Sequence, residues 1–179
     1  MSRVRIVGGQ WRSRLLPVAK VAGLRPTPDR VRETLFNWLG QDLTGLSCLD
    51  LFAGTGILGF EAASRGAEHV TMVESNPAAH AALRDAIKTL QASQVELIRG
   101  DAVEFARKQT RRYDLVFLDP PYHQGWLERI QGSLGDLIEP EGWLYVEAET
   151  PIDTLGQWRT IRSGRAGQVC FQLMRGQDE

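Results

Sequence analysis

The chain has 179 residues, of which 42% are hydrophobic and 24% charged, and its formal net charge is −1. These values exclude a disordered or fibrous chain, and a domain of this length buries roughly two thirds of its unfolded surface without disulfide staples. No apolar run approaches the ~20 residues of a membrane span, and residues 1–5 hold no signal-peptide core, so a cytoplasmic protein is expected.

The near-neutral total hides an asymmetry. Residues 1–32 carry eight Arg and Lys against Asp29 alone, a net +7, which leaves −8 for the rest. A basic arm on an acidic body is the footprint of a protein that meets a polyanion. A solvated, Arg-rich hairpin is the plainer reading of the same charges. Cys48 and Cys170 lie in apolar, strand-like runs and are expected to be reduced core residues.

In chain order, residues 3–7 and 11–16 alternate charged and apolar side chains as short strands, with Gly8-Gly9 between them as a hairpin turn. After a stretch punctuated by Pro and Gly, Thr27 is placed to cap a helix whose first position is Pro28. Val31, Leu35, Trp38 and Leu39 recur in it at helical spacing, and Gly40 stops it. Strand and helix then alternate: a strand at 46–52, a helix near 57–65, a strand at 70–73, and a helix opened by Asn76-Pro77. A strand at 95–98, a helix near 102–110, a strand at 115–118, an amphipathic segment near 124–138 and a strand at 143–146 follow. Residues 157–162 and 169–174 close the chain as an antiparallel pair across Ser163-Gly164-Arg165. Strands apolar on both faces, separated by helices, imply a Rossmann-like α/β fold with a mostly parallel central sheet covered on both sides. The expected division is a basic hairpin-and-helix extension over 1–40 and the α/β domain over 41–179.

In such a sheet ligands bind beyond the carboxyl ends of the strands. Gly54-Thr55-Gly56-Ile57-Leu58-Gly59 follows the first strand of the domain, and Glu74 closes the next strand 20 positions after Gly54. Glycine lets the backbone turn tightly and a ligand approach closely, while the acidic residue can accept from ribose hydroxyls. A dinucleotide and S-adenosylmethionine make the same demands on this loop. Asp50 and Asp101 favour the methyl donor. Asp50, four residues before Gly54, is suited to a cationic amino-acid moiety that a nicotinamide cofactor lacks, and Asp101 is placed to accept from an adenine amine. Phe52, Ser75 and Ala102 complete the expected cofactor set with Asp50, Gly54, Gly56, Glu74 and Asp101. Glu74 and Asp101 also fit a plainer role as helix-capping or surface carboxylates.

Asp119-Pro120-Pro121-Tyr122 directly follows the strand at 115–118. Two prolines cannot continue a central strand, so the chain breaks at the ligand edge. Exocyclic base amines are weak nucleophiles because their lone pair is delocalised into the ring. The Asp119 carboxylate and the Pro120 carbonyl can accept the two amino hydrogens and aim that lone pair at a methyl sulfonium, while Tyr122 stacks on the unstacked base. Pro121 fixes the break. A Pro-rich turn whose Asp caps the next helix is the alternative.

The glycine loop, Glu74, Asp101 and Asp119-Pro120-Pro121-Tyr122, in this order, resemble class I methyltransferases of the amino-methylating branch. The segments Arg5-Ile6-Val7-Gly8-Gly9-Gln10-Trp11-Arg12 and Arg25-Pro26-Thr27-Pro28-Asp29-Arg30-Val31-Arg32-Glu33-Thr34-Leu35-Phe36-Asn37 are similar to the opening of the RsmD family. That family comprises small-subunit ribosomal RNA guanine-N2 methyltransferases. The resemblance implies S-adenosylmethionine as cofactor and methylation of one guanine N2 in 16S rRNA, within the small ribosomal subunit or its assembly intermediate. Thr55 stands where Ser is expected and Tyr122 where Phe also occurs; neither alters the chemistry.

Arg3, Arg5, Arg12, Arg14, Arg25, Arg30 and Arg32 are the candidates for phosphate contacts, with Arg30 and Arg32 pointing different ways from one helix. His69, His80 and His123 have no metal-ligand spacing with the cysteines, and no metal is expected. His123, beside Tyr122, is a candidate for the base pocket; Trp11 and Trp126 read as core aromatics or RNA contacts. The competing functions are a DNA adenine-N6 or cytosine-N4 methyltransferase, an NAD-dependent oxidoreductase, and a non-catalytic RNA-binding assembly factor. A monomer is the default.

Overall fold

The computed structural model describes residues 2–177. The chain opens with a two-stranded antiparallel ribbon, β1 (Arg3–Arg5) and β2 (Leu15–Pro17), followed by α1 (Asp29–Leu39). Strand–helix units follow: β3 (Ser47–Asp50), α2 (Ile57–Ser64), β4 (His69–Glu74), α3 (Pro77–Leu90), β5 (Val95–Arg99), α4 (Ala102–Lys108) and β6 (Tyr113–Leu118). The helices α5 (Trp126–Ile130) and α6 (Leu134–Leu137) lead to β7 (Ile138–Ala148), and β8 (Thr154–Leu155), β9 (Trp158–Ala166) and β10 (Val169–Gly176) finish the chain.

Eight strands form one sheet in the order β5-β4-β3-β6-β7-β10-β9-β8. The first five of these are parallel, and β10, β9 and β8 continue antiparallel. The strand order reverses between β3 and β6, which makes their carboxyl ends the ligand edge. Alternation along the strands feeds two apolar layers. Cys48, Leu115, Phe117 and Tyr145 pack with α1, α2 and α3 on one face, while Leu49, Val116, Leu118 and Leu144 pack with α4, α5 and α6 on the other. Val4, Ile6, Trp11, Leu16, Val31 and Phe36 belong to the first layer, so packing is continuous across residue 40.

Several local expectations are corrected. Pairing in the ribbon is shorter than the alternating segments: Ile6 and Ser13 still exchange backbone bonds with Arg14 and Ile6, but residues 8–12 leave the ladder. They dock on the end of α2 instead, where Gln10 N donates to Ser64 O at 2.7 Å and Trp11 N to Ser64 Oγ at 2.8 Å. Gly9, at φ 77°, is left-handed there and a Cβ would collide with the Ser64 carbonyl. Helix α1 begins at Asp29 with Pro28 in the cap position and no side-chain cap, because the Thr27 hydroxyl is engaged elsewhere. The segment near 124–138 is two short helices joined by a 3-10 turn over Gln131–Ser133, not one helix. The closing turn is Gly167-Gln168 rather than 163–165. Gly164 stays in its strand because the Phe171 ring covers the space a side chain would need, while Gly167 adopts a left-handed φ of 60°. By contrast, Asn76 caps α3 as expected, its Oδ1 accepting from Ala78 N and Ala79 N.

A candidate active site at the carboxyl edge of the sheet

Five parallel strands end along the carboxyl edge on either side of the switch point, and each contributes an acid. Asp50 ends β3, Glu74 ends β4, Asp101 follows β5, Asp119 follows β6, and Glu147 lies one residue before the end of β7. Glu74 organises the glycine loop: its Oε1 accepts from Gly54 N and its Oε2 from Asn76 N, both at 2.8 Å. A carboxylate has lone pairs left after two such bonds, so ribose hydroxyls remain within its capacity. Asp101 caps α4 through Oδ1, which accepts from Glu104 N at 3.0 Å, with Ala102 buried as the first helical residue. Its second oxygen is the one available to a ligand. Ser75 is exposed beside Glu74. Phe52 is half-buried and lies edge-on to Trp126 with ring centroids 5.4 Å apart.

The two loop glycines serve different ends. Gly56, at φ 80°, has no room for a side chain against Leu83 and Phe60 and so closes the packing under α2. Gly54, at φ 57°, lies under Leu24, whose Cδ1 would be 3.0 Å from an added Cβ. Residues of the basic arm thus roof the glycine loop.

Asp50 is 1% exposed, and neither of its carboxylate oxygens has a hydrogen-bond partner among the described residues. The amides of Gly59 and Phe52 approach it without reaching hydrogen-bonding geometry. Burial above all pushes its carboxyl up to about 7, Glu74 and Glu147 add to the rise, and the two amides oppose it. Asp119, half-buried, is likewise driven well above the carboxylate range by burial, then by the facing Glu147, then by Asp50. Tyr122 is half-buried and its hydroxyl is pushed up to about 12 by burial and the neighbouring Asp119 and Glu147. Pro120 is buried and Pro121 exposed. Among the described residues no ion pair forms to Asp50, Asp119 or Glu147. A buried acidic cluster of this kind fits a ligand that brings positive charge, which S-adenosylmethionine does through its ammonium and sulfonium.

Glu147 was not legible as a site residue. It lies near the end of an apolar strand and matches no motif, yet it is 4% exposed and its Oε1 accepts from Tyr145 Oη at 2.6 Å and Thr27 Oγ1 at 2.8 Å. The hydroxyl of Tyr145 is held far above its ordinary pKa by burial and this carboxylate. His123 turns outward: its backbone is left-handed at φ 63°, its side chain is exposed, and Nε2 lies 3.0 Å from Glu149 Oε2. No group of His, Cys, Asp or Glu able to hold a metal ion occurs among the described residues.

The arginines of the arm separate into distinct environments. Arg3, Arg5, Arg12, Arg14, Arg25 and Arg30 are exposed. Arg12 belongs to the tip docked at Ser64, about 12 Å along α2 from the glycine loop, and Arg14 follows it in the ribbon, bonded to Ile6. Arg25 lies at the carboxyl edge between Leu24 on Gly54 and Thr27 on Glu147, and Arg30 is in the first turn of α1. The phosphate contact expected of Arg32 is wrong. Arg32 is fully buried and binds the Thr27 and Arg5 carbonyls, Asp29 Oδ1 at 2.6 Å and Glu61 Oε1 at 3.3 Å. Glu61, also fully buried, takes Val7 N and Arg65 Nε as well. A second basic stretch, absent from the sequence-based candidates, lies near the other end: residues 154–177 hold Arg159, Arg162, Arg165 and Arg175 and no acid. Arg165 pairs with Cys170 and Cys170 with Ala148, which brings Arg165 to the carboxyl edge three strands from β6, about 14 Å away. Segment-wise charge counting at both ends of the chain would have found it.

Comparison with known proteins identifies the family. The family model described as Conserved hypothetical protein 95 matches residues 4–175. The Ribosomal RNA small subunit methyltransferase D of Escherichia coli strain K12 is 42% identical over 180 residues, covering 96% of this chain and 89% of the relative. A solved structure described as the putative methyltransferase yhhF from Escherichia coli superposes with a TM-score of 0.88 at 40% identity, over 99% of this chain and all of that one. Likeness in fold alone extends to an RNA methyltransferase from Salinibacter ruber in complex with S-adenosyl-L-homocysteine, at a TM-score of 0.69 and 18% identity over 87% of this chain and 96% of that one. The chain belongs to the Conserved hypothetical protein 95 family, the RsmD family of class I methyltransferases.

Proposed function

We propose that the protein methylates the N2 amine of a guanine in 16S rRNA of the small ribosomal subunit, with S-adenosylmethionine as donor. The observation that carries the reading is the Asp119-Pro120-Pro121-Tyr122 break set beside the unpartnered, buried Asp50 at the switch point. Asp50 also argues against a dinucleotide. It lies against Gly59 in the first turn of α2, with Oδ2 3.4 Å from the position of an added Cβ, where a pyrophosphate would meet its charge. The relatives named as small-subunit rRNA methyltransferases support the substrate class.

Asp50, Glu74, Asp101 and the Gly54–Gly56 backbone would hold the cofactor, with Phe52, Ser75 and Ala102 beside it. When bound, it supplies an electrophilic methyl group on a sulfonium. Asp119 and the Pro120 carbonyl accept the amino hydrogens of the guanine and orient the nitrogen lone pair, while Tyr122 stacks on the base. As the N–C bond forms and the S–C bond breaks, N2 is left with a surplus proton, and Asp119 is the group positioned to take it. A cation nearby lowers the Asp119 pKa toward the ionised form that this role needs.

Residues 1–40 form the RNA-contacting part of this proposal and 41–179 the methyltransferase domain. Arg3, Arg5, Arg12, Arg14, Arg25 and Arg30, joined by Arg165, are the phosphate contacts. Only Leu15 and Ile161 are large, exposed apolar residues among those described, which supports a monomer. Free, buried Cys48 and Cys170 suit the cytoplasm, where the substrate resides. The test is transfer of tritium from labelled S-adenosylmethionine to small subunits from a strain lacking the enzyme, followed by nucleoside analysis. Label in N2-methylguanosine is expected; label in another base, or none with the cofactor bound, overturns the reading.

A further inference from the structure

We infer that Glu147 forms a subsite for the N1–H of the target guanine and so selects guanine over other amino-bearing bases. The inference rests on the guanine reading above and deepens it. Register places Leu118 of β6 opposite Val146 of β7, so the next residues, Asp119 and Glu147, stand side by side across the two strands. Strand alternation puts Glu147 on the same face as Tyr145, and Asp119 on the same face as Phe117; these two aromatic rings themselves meet edge-on at 6.1 Å.

Both protein donors to Glu147, from Thr27 and Tyr145, converge on Oε1. That locks the carboxylate at Oε1; beyond these two donors the Asp119 carboxyl lies within hydrogen-bonding range of Glu147, and once Asp119 is ionised it has no proton to give and Glu147 keeps a free acceptor. Locked side chains with one free acceptor are what a base-reading site requires. The chemistry of the base edge then decides the match. On guanine the amine at N2 is flanked by a second donor, N1–H. On adenine and cytosine the amine is flanked by a ring nitrogen that only accepts. Two adjacent carboxylates complement two adjacent donors, Asp119 taking N2–H and Glu147 taking N1–H. Presented with adenine or cytosine, Glu147 faces a lone pair in a buried setting, which repels.

The experiment compares kcat/KM on small-subunit RNA carrying guanine or 2-aminopurine at the modified position. 2-Aminopurine keeps the N2 amine but has an acceptor at N1. Wild-type enzyme is expected to favour guanine by about 10- to 100-fold. Glu147→Gln keeps an oxygen for Thr27 and Tyr145 and offers a donor in place of Oε2, so it is expected to move the ratio at least about tenfold toward 2-aminopurine. The O6 that 2-aminopurine lacks is missing for both enzymes and cancels in that change. Tyr145→Phe is expected to lower both rates while leaving the ratio near wild type. Equal use of both bases by the wild type, an unmoved ratio in Glu147→Gln, or an equal shift in Tyr145→Phe overturns the subsite. Failure of the wild type to label N2-methylguanosine in natural RNA would instead overturn the guanine reading itself.

Discussion

On the proposed cofactor site, Asp50 is expected to make cofactor affinity depend on pH. Its carboxyl is held at about 7 when free, and the ammonium and sulfonium of the cofactor require the ionised form. For a site that must lose one proton to bind, the apparent Kd is multiplied by 1 + 10^(pKa − pH), which is about 11 at pH 6 and about 1.3 at pH 7.5. Affinity is therefore expected to fall about eightfold from pH 7.5 to pH 6, as read by titration calorimetry. Folding responds in the opposite direction. An acid whose folded pKa lies above its unfolded value binds more protons when folded, so its contribution to stability is lost as pH rises from about 4 to 7. A rise from 3.8 to about 7 corresponds to ~4 kcal/mol. Asp50→Asn is accordingly expected to raise the melting temperature of the free protein at pH 8, weaken cofactor binding at least tenfold, and flatten its pH dependence between 6 and 7.5. An affinity that is level across this range in the wild type, or one that keeps its slope in Asp50→Asn, would refute the assignment.

Other expectations follow from the same geometry. Asp119→Ala should abolish methyl transfer while holding the cofactor Kd within about threefold; simultaneous loss of both would mean that Asp119 belongs to the cofactor site. Arg32→Ala takes one of the two guanidinium partners from the buried Glu61, leaving Arg65 and the Val7 amide, and frees two backbone carbonyls, so it should cost about 3 kcal/mol, a fall of about 6–12 °C in Tm for a chain of this length. A shift under 3 °C in calorimetry would argue against the network. Arg25→Gln and Arg165→Gln should each weaken RNA binding and reduce the slope of log K against log salt by about one, with cofactor affinity unchanged. Slopes equal to wild type would remove those residues from the interface.

Much of the architecture was legible because period-two and period-3.6 patterns are set by the same apolar residues that build the two layers, and Asn76-Pro77 and the Asp119 break are local signals. What escaped depends on contacts distant in sequence. Thr27 has the side chain of a helix cap, but Glu147, 120 positions away, claims its hydroxyl. Arg32 looked like its neighbour Arg30 because charge alone does not tell which side of α1 faces Glu61. Gly164 read as a turn because nothing local announces that Phe171 will lie over it. Glu147 acquires its setting only when β7 is laid beside β6, and no spacing within the strand encodes that.

The arm that carries Arg25 also sets Leu24 on Gly54 and Thr27 on Glu147. With RNA engaged at Arg25 as proposed, a pull on that segment would reach the glycine loop and the acidic cluster together. Linkage makes such a connection symmetrical: whatever factor RNA applies to cofactor affinity, the cofactor must apply to RNA affinity. On the proposed RNA contact, the short stretch from Leu24 to Thr27 would couple the two binding events, and order of addition would report on it.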